Sequence, residues 1–511
     1  MLKRLVQNTV VSAIVFGLVA VLGVIVIPII IRTWGVAEFG LIVLTRLFLP
    51  SGLIGVIDFG LAEVTTQVVA RAREHRDWRL AGGQLLLLTV VSLLLAIVLS
   101  AAMWLTVPLI VAQFKVEPAH AASFTNMLLA TAASNLVLFP ALVWEGVVKG
   151  FERYGLLRLC EFLTTLLYVG ATIHAARSGQ PYEVVTYYFL GSGLLRALIL
   201  LGASIAALSR TRIRLSVPVA AVSREVMTRC ILVMQGKLIG GIIAPIQPFL
   251  IGIYIGPQSV GIYDTLVRIP RLAKVVASLL ISAMLPVVSR LDQRDNHRQF
   301  NRFGETGIMM LPIVTVPPLV AAAVMSPAIM HIWIGPQIVP YAHWMGLMFV
   351  VTMCFQYVIF GNTLFMTRTK VQGRLNMLMM IHLAVWAVLT LAAVNVLSER
   401  AFILGQTIGT AAIVPWQLMI FVKELAMDAK RFWVAILIHW TILAIAALLL
   451  AAILYFAPEP GIVTLTGLMG AFCAATWAAQ YFLVLSEDQR GQIGSLGRTY
   501  FGRKGVSPAT L

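Results

Sequence analysis

The chain has 511 residues, of which 60% are hydrophobic and 12% charged, with a formal net charge of +17. Soluble domains contain about 45–50% apolar and about 25% charged residues, so the composition excludes an ordinary soluble protein. In a soluble protein the charge would suggest nucleic-acid binding. Here we expect no nucleic acid, because basic cytoplasmic loops beside an anionic leaflet account for most of the charge.

Apolar runs long enough to cross a bilayer recur along the whole chain, and a crossing helix needs roughly 20 such residues. We therefore predict an all-α polytopic membrane protein with about fourteen transmembrane helices. The first seven cover residues 10–31, 40–68, 83–111, 121–147, 155–176, 184–208 and 229–254. The other seven cover residues 259–287, 306–333, 341–365, 375–397, 401–422, 432–456 and 461–486. The first run is too long for a signal peptide and lacks a cleavage site, so we expect an uncleaved helix.

The distribution of lysine and arginine gives the orientation. With the N-terminus in the cytoplasm, 28 of the 38 basic residues fall on cytoplasmic loops and termini and 4 on the opposite side. Cytoplasmic loops carry such an excess. The asymmetry predicts fourteen spans with both termini in the cytoplasm.

Two pairs of similar segments indicate an internal repeat. Gly35-Val-Ala-Glu-Phe-Gly40-Leu returns 221 residues later as Gly256-Pro-Gln-Ser-Val-Gly261-Ile, and an alignment of Arg158 with Arg374 gives an offset of 216. In each pair of similar segments, both members lie on the same predicted side of the membrane, so the predicted repeat is parallel. We predict an N-lobe at 1–208, a basic linker at 209–228, a C-lobe at 229–425, an extra helix pair at 426–489 and a cytoplasmic tail at 490–511.

Several of these segments resemble a known family. Arg32–Leu41 and Asp58–Leu61 look like the opening of polysaccharide-exporting flippases, and so do Ile253–Asp264 and Leu285–Ser289 in the second half. These flippases belong to the multidrug/oligosaccharidyl-lipid/polysaccharide exporter superfamily. The resemblance implies two parallel six-helix lobes around a central cavity that opens alternately to each side, plus a C-terminal helix pair.

The resemblance also implies a function. The substrate would be an undecaprenyl-diphosphate-linked oligosaccharide, moved from the cytoplasmic to the periplasmic leaflet of a bacterial inner membrane. The product would feed O-antigen, capsule or exopolysaccharide assembly. Anionic membrane lipids, a polysaccharide polymerase and chain-length machinery are the expected partners, and no cofactor or metal is expected.

Six basic residues lie inside predicted spans, where a charge is costly and normally faces protein or water. Arg268, Arg271 and Lys274 share one face of the eighth span with Asp264 at helical spacing. Arginine and lysine suit the recognition of phosphate groups. We predict that these three residues, with two further cations, bind the diphosphate.

Those two further cations are Arg46 in the second span and Lys237 in the seventh. We interpret the remaining one, Arg196 in the sixth span, as structural. An alternative stays open for the whole set, namely internal pairing of Arg268 with Asp264 and neutralisation of the others by Asp58 or Glu63.

The acidic residues of these spans have two possible roles, and so do the prolines. Asp58, Glu63 and Asp264 are candidate sites for a coupling proton or sodium ion, or salt-bridge partners. Spanning helices tolerate proline where neighbouring groups satisfy the freed backbone, so proline predicts either functional bends or simple kinks. The prolines concerned are Pro50, Pro245, Pro248, Pro270 and Pro286.

Two other functions remain as alternatives. A peptidoglycan lipid II flippase would share the fold. A membrane glycosyltransferase or polysaccharide polymerase is the alternative from another class, but the loops between spans are short and no hydrolase, zinc-protease or P-loop motif occurs. We therefore expect a protein that is not an enzyme.

Overall fold

The computed structural model describes residues 2–211, 213, 220–282, 297–366, 368–456, 460–485 and 490. Across these residues it contains seventeen α-helices, two short 3-10 helices and no strand. Residues 212 and 214–219 of the predicted basic linker, the Leu285–Ser289 motif with Pro286, and nearly all of the predicted tail lie outside the described residues.

The helices follow one another with short connections. The first nine are α1 (Leu2–Trp34), α2 (Val36–Leu47), α3 (Leu61–His75), α4 (Trp78–Gln113), α5 (Pro118–Gly150), α6 (Tyr154–Arg177), α7 (Glu183–Leu208), α8 (Ala220–Gly241) and α9 (Ile243–Tyr254). The other eight are α10 (Pro257–Ser282), α11 (His297–Val324), α12 (Ser326–Trp333), α13 (Ala342–Leu364), α14 (Thr369–Leu397), α15 (Arg400–Glu424), α16 (Ala429–Phe456) and α17 (Ile462–Leu483).

Eleven helical segments of the described chain are long and apolar enough to cross a membrane. Each corresponds to one predicted span, which confirms an all-α polytopic membrane protein. The three predicted spans without such a counterpart are 40–68, 229–254 and 259–287. The first two are divided between two helices each, and the third is the charged helix α10, so a total of fourteen remains compatible with the structure.

The second predicted span is not one helix. Helix α2 ends at Leu47, a 3-10 turn covers Ile54–Ile57, and α3 begins at Leu61. Pro50 lacks a backbone donor, and a Cβ on Gly55 would lie 1.9 Å from the carbonyl oxygen of Pro50. Gly60 adopts a φ of 62°, a conformation that costs glycine little. The continuous helix predicted over 40–68 was therefore wrong in this middle part.

The prolines of the second half act differently from one another. Between α8 and α9 the helix is interrupted at Ile242, three residues before Pro245. Pro248 lies inside α9, and Pro270 lies inside α10 without ending it. Only the first of these positions coincides with a break in the described chain.

The chain forms two compact units. The first comprises residues up to Leu272 together with Leu383–Gly405, and the second comprises Ala273–His382 and the residues from Gln406 onwards. In the first unit α5 packs against α3, α4 and α7, while α1 packs against α6. In the second unit α11 packs against α13, α16 and α17. The predicted lobe and linker boundaries stay predictions.

A reciprocal backbone contact in the first unit joins the starts of α2 and α10. A Cβ on Gly40 would lie 1.8 Å from the carbonyl oxygen of Pro257, and one on Gly261 would lie 2.2 Å from that of Val36. Both pairs follow the offset of 221 residues seen in the sequence, since Val36 matches Pro257 and Gly40 matches Gly261. Each of the two similar segments thus makes the same contact with the other, which is the arrangement expected of two related repeats.

Candidate functional site

Arg46 lies in the last turn of α2, immediately before the break in the second predicted span. Its Nη2 donates a hydrogen bond of 2.5 Å to the hydroxyl of Tyr168. Its guanidinium carbon also lies 4.2 Å from the ring centroid of Phe189 and 5.4 Å from that of Tyr168. Within the described chain its partners are therefore a hydroxyl and two aromatic faces, which leave its charge uncompensated by a carboxylate.

A cavity of about 360 Å³ opens beside Arg46 in the first unit, with walls from α1, α2, α6, α7 and α10. Its charged lining residues are Arg46, Arg196, Arg268 and Glu161. The remaining wall is formed largely by small and apolar side chains of α1 and by Tyr168 and Phe189. Three cations thus face one acid around a space large enough for a phosphate-sized group.

Arg268 and Arg271 share a single carboxylate. Asp264 lies 3.3 Å from Nη2 of Arg268 and 4.0 Å from Nη1 of Arg271, and only 6% of Asp264 is exposed. Arg271 also donates hydrogen bonds to the carbonyl oxygen of Ala244 and the hydroxyl of Tyr263, each at 3.2 Å. The pairing of Arg268 with Asp264, considered as an alternative above, is thus present, but one carboxylate cannot neutralise both cations.

Arg196 both forms an ion pair and lines the cavity. It forms an ion pair of 3.0 Å with Glu145 on α5, which also binds Lys149 at 2.7 Å. It lines the same cavity as Arg46 and Arg268. The structural role predicted for Arg196 fits its pair with Glu145, and its position in the cavity wall was not predicted from the sequence.

Lys237 on α8 lies against the break in the second predicted span. Its Nζ is 2.9 and 2.8 Å from the two carboxylate oxygens of Asp58 and 3.2 Å from Glu63. Asp58 also accepts a hydrogen bond of 2.8 Å from the backbone N–H of Gly60. In this structure Lys237 is therefore internally paired, and Asp58 both fixes the turn before α3 and binds the lysine.

Lys274 belongs to the second unit. Its Nζ lies 3.9 Å from the ring centroid of Phe355 on α13, and its side chain is exposed. The site residues expected from the sequence therefore divide into several groups. Arg46 and Arg268 line one cavity, Arg271 shares the acid of Arg268, Lys237 forms a separate cluster with two acids, and Lys274 contacts an aromatic ring.

A comparison with models of protein families identifies the family of this chain. A model described as "Polysaccharide biosynthesis protein" matches residues 5–292, which is more than half of the chain. The chain belongs to this family. A comparison with curated protein sequences gave no match.

Solved structures with a similar fold are transporters. An inward-facing multidrug resistance MATE family transporter of the MOP superfamily is 16% identical, covers 82% of this chain and 96% of its own, and has a TM-score of 0.59. A MATE transporter in complex with MaD5 is 14% identical, with coverages of 83% and 96% and a TM-score of 0.57. At these identities the likeness shows the fold.

A third similar structure is a MOP superfamily transporter from Pyrococcus furiosus. It is 15% identical, covers 83% of this chain and 96% of its own, and has a TM-score of 0.55. That protein is described as having a binding pocket of reverse polarity that suggests a different function. The family match confirms the resemblance to a polysaccharide family, and the similar structures show that the fold is that of MOP superfamily transporters.

The sequence did not identify Tyr168 and Phe189 as site residues. They lie on α6 and α7, two helices whose hydropathy is ordinary for membrane spans. The pattern along either helix gives no sign that its aromatic residues contact a cation on α2. That contact depends on the packing between helices, which the sequence alone does not specify.

Proposed function

We propose that the protein is a flippase, not an enzyme. It would move an undecaprenyl-diphosphate-linked oligosaccharide from the cytoplasmic to the periplasmic leaflet of a bacterial inner membrane, with both of its termini in the cytoplasm. Membership of a polysaccharide biosynthesis family and a transporter fold support this proposal. The oligosaccharide would be a unit of a surface polysaccharide such as O-antigen, capsule or exopolysaccharide.

The observation that carries the proposal is the excess of cations around the cavity of the first unit. Arg46 has no carboxylate partner within the described residues, and Arg268 shares its only one with Arg271. A diphosphate carries at least two negative charges and loses most of its hydration in a low-dielectric region. Guanidinium groups replace that hydration with charge-assisted, bidentate hydrogen bonds.

The aromatic contacts of Arg46 fit this role. Tyr168 and Phe189 hold the guanidinium in place without neutralising it. A cation held by a carboxylate would have to exchange that partner for the phosphate, whereas Arg46 would only add one. In this proposal Arg46 and Arg268 bind the diphosphate first, and Arg271, Lys237 and Lys274 assist as the carrier changes conformation.

The acids then have roles in the return of the empty carrier. Asp264 would hold Arg268 and Arg271, and Asp58 and Glu63 would hold Lys237, when the diphosphate leaves, so that these three cations keep an acidic partner in the empty carrier. Protonation or sodium binding at these acids would bias the cycle toward export. The contact between Gly40 and Gly261 would close the outer end of the pathway.

The experiment replaces Arg268 with glutamine and Asp264 with asparagine in the same protein. This neutral pair keeps side chains of similar shape and avoids leaving the buried Asp264 with only the more distant Arg271, at 4.0 Å. We expect normal amounts of protein in the membrane and at least a tenfold loss of surface polymer. The matched control replaces Arg79, an exposed arginine on the predicted cytoplasmic side, with glutamine and should export normally.

Three results would contradict the proposal. Unaltered polymer export by the Arg268→Ala, Arg271→Ala double variant would falsify the binding role. Death of the cell upon gene deletion, rather than loss of surface polysaccharide alone, would indicate a lipid II flippase. Turnover of a sugar nucleotide by the purified protein would indicate a glycosyltransferase or polymerase.

A further inference from the structure

The second unit contains a cavity of about 580 Å³ that the proposed transport pathway does not use. Its walls come from residues 302–309 in the second to fourth turns of α11, from residues 430–438 in the first three turns of α16, from the end of α17, and from the short connection before α16. The distribution of basic residues places all three of these helix ends at the cytoplasmic surface. The cavity therefore lies where the protein meets the cytoplasmic leaflet.

The mouth of this cavity is basic. Arg302 on α11 and Lys430 and Arg431 on α16 line it, together with the acids Glu305 and Asp428. All five of these residues are exposed, and the cations exceed the acids by one. Basic pockets between membrane helices on the cytoplasmic side bind the head groups of anionic lipids.

The deeper wall is apolar. Met309 follows Arg302 by seven residues on α11, and Ile438 follows Arg431 by seven on α16. Seven residues of helix rise about 10 Å, so both helices pass from charge to hydrocarbon over the same depth. Ala435 lies between these levels and also borders a narrow apolar crevice beneath the cavity. This profile matches a phospholipid, with a charged head above an acyl chain.

The positive-inside rule alone does not account for the arrangement. That rule concerns cations in loops and requires no cavity beneath them. Two of the three cations occupy the first turn of α16, where the partial positive charge of the helix dipole disfavours them. Only the N-cap acid Asp428, which accepts a hydrogen bond from the N–H of Arg431, suits that position for helix stability.

We propose that this cavity binds an anionic glycerophospholipid from the cytoplasmic leaflet. Its phosphodiester contacts Arg302, Lys430 and Arg431, and hydroxyl groups of the head group donate hydrogen bonds to Glu305 or Asp428. One acyl chain extends along the apolar wall toward Ile438. The lipid fastens the C-terminal pair α16 and α17 to α11 and stabilises the second unit.

The test is native mass spectrometry of the full-length protein with phosphatidylglycerol or phosphatidylethanolamine. The variant Arg302→Gln, Lys430→Gln, Arg431→Gln changes only exposed side chains, so its fold should persist, which circular dichroism checks. Each cation near a membrane surface contributes about fivefold to the binding of an anionic lipid, so we expect roughly a hundredfold weaker phosphatidylglycerol binding.

A control with the same loss of charge separates this site from general surface attraction. Arg76→Gln, Arg79→Gln, Arg224→Gln removes three exposed cations from the same predicted side of the membrane, outside the cavity. It should bind phosphatidylglycerol like the unmodified protein. An equal loss in this control would overturn the proposal, and so would equal binding of phosphatidylethanolamine by the unmodified protein.

A second variant tests the cavity without altering its charge. Ala435→Trp fills the space between the basic mouth and the apolar wall, so we expect at least a tenfold loss of phosphatidylglycerol binding. Retention of full binding by a folded Ala435→Trp protein would show that the lipid does not enter the cavity. None of these measurements depends on transport, so they remain decisive if the flippase proposal fails.

Discussion

Replacement of Lys237 by methionine should destabilise the protein by leaving a buried carboxylate unpaired. Lys237 contacts both oxygens of Asp58 at 2.8 and 2.9 Å, and only 6% of the Asp58 side chain is exposed. Glu63, the other acid at the lysine, is 45% exposed and lies at 3.2 Å. The two acids should therefore respond very differently to loss of the cation.

The expected magnitudes follow from this difference in burial. Removal of one partner from a buried ion pair costs about 3–5 kcal/mol, because the other charge stays buried without compensation. An exposed pair contributes at most about 1 kcal/mol. We expect Lys237→Met to lower the free energy of unfolding by about 3–5 kcal/mol and Glu63→Gln to lower it by less than about 1 kcal/mol.

The double variant Asp58→Asn, Lys237→Met completes the cycle. Asparagine can still accept the hydrogen bond from the N–H of Gly60 and carries no charge, so the turn before α3 should persist. We expect the double variant to unfold within about 1 kcal/mol of the unmodified protein, because a buried ion pair often contributes little net stability. Equilibrium unfolding in mixed micelles, followed by circular dichroism, measures all four proteins.

The same set separates structural pairing from substrate binding. A loss below about 1 kcal/mol in Lys237→Met would refute the reasoning, because it would show that water already compensates Asp58. If Lys237 only pairs with Asp58, the stable double variant should still export polymer. If Lys237 also binds the diphosphate, the double variant should be stable and inactive.

Two further predictions concern α2. Gly40→Ala places a methyl group 1.8 Å from a backbone carbonyl oxygen, so we expect the outer ends of α2 and α10 to separate. Maleimide labelling of a cysteine introduced by Ala37→Cys should then rise severalfold. The control Gly155→Ala, with no atom within 4 Å of the new carbon, should leave this labelling unchanged. Tyr168→Phe keeps the aromatic face but removes the hydrogen bond to Arg46. Such a bond to a charged group contributes about 1.5–3 kcal/mol, so we expect roughly tenfold slower flipping of a lipid-linked sugar in proteoliposomes. An unchanged rate would exclude Tyr168 as a positioning residue.

Composition and the distribution of basic residues were sufficient to predict an all-α polytopic membrane protein. They could not predict the break in the second span, because hydropathy stays high from Leu47 to Leu61. The break depends on local turn geometry, in particular on the close approach of Gly55 to Pro50. A scale that sums side-chain transfer energies does not contain this information.

The site was predicted in part for a similar reason. An arginine inside an apolar span is visible in a sequence, so Arg46 and Arg268 could be selected one residue at a time. Their common cavity depends on how α2 and α10 meet, and Tyr168 and Phe189 become relevant only through the packing of α6 and α7. The pairing of Lys237 with Asp58 joins residues 179 positions apart, and it could be anticipated only as one alternative among several.

The three predicted spans that fail the criterion for a membrane-crossing helix contain all eight candidate site residues. These are Arg46, Asp58, Glu63, Lys237, Asp264, Arg268, Arg271 and Lys274. A charge at the centre of a membrane helix costs about 2.5–3.5 kcal/mol on insertion scales. Of the six cations inside predicted spans, only Arg196 lies on one of the eleven helices that satisfy the criterion. Because the other five cations are gathered on two broken spans and one charged helix, a cation inside a predicted span is itself the strongest sequence signal for the site.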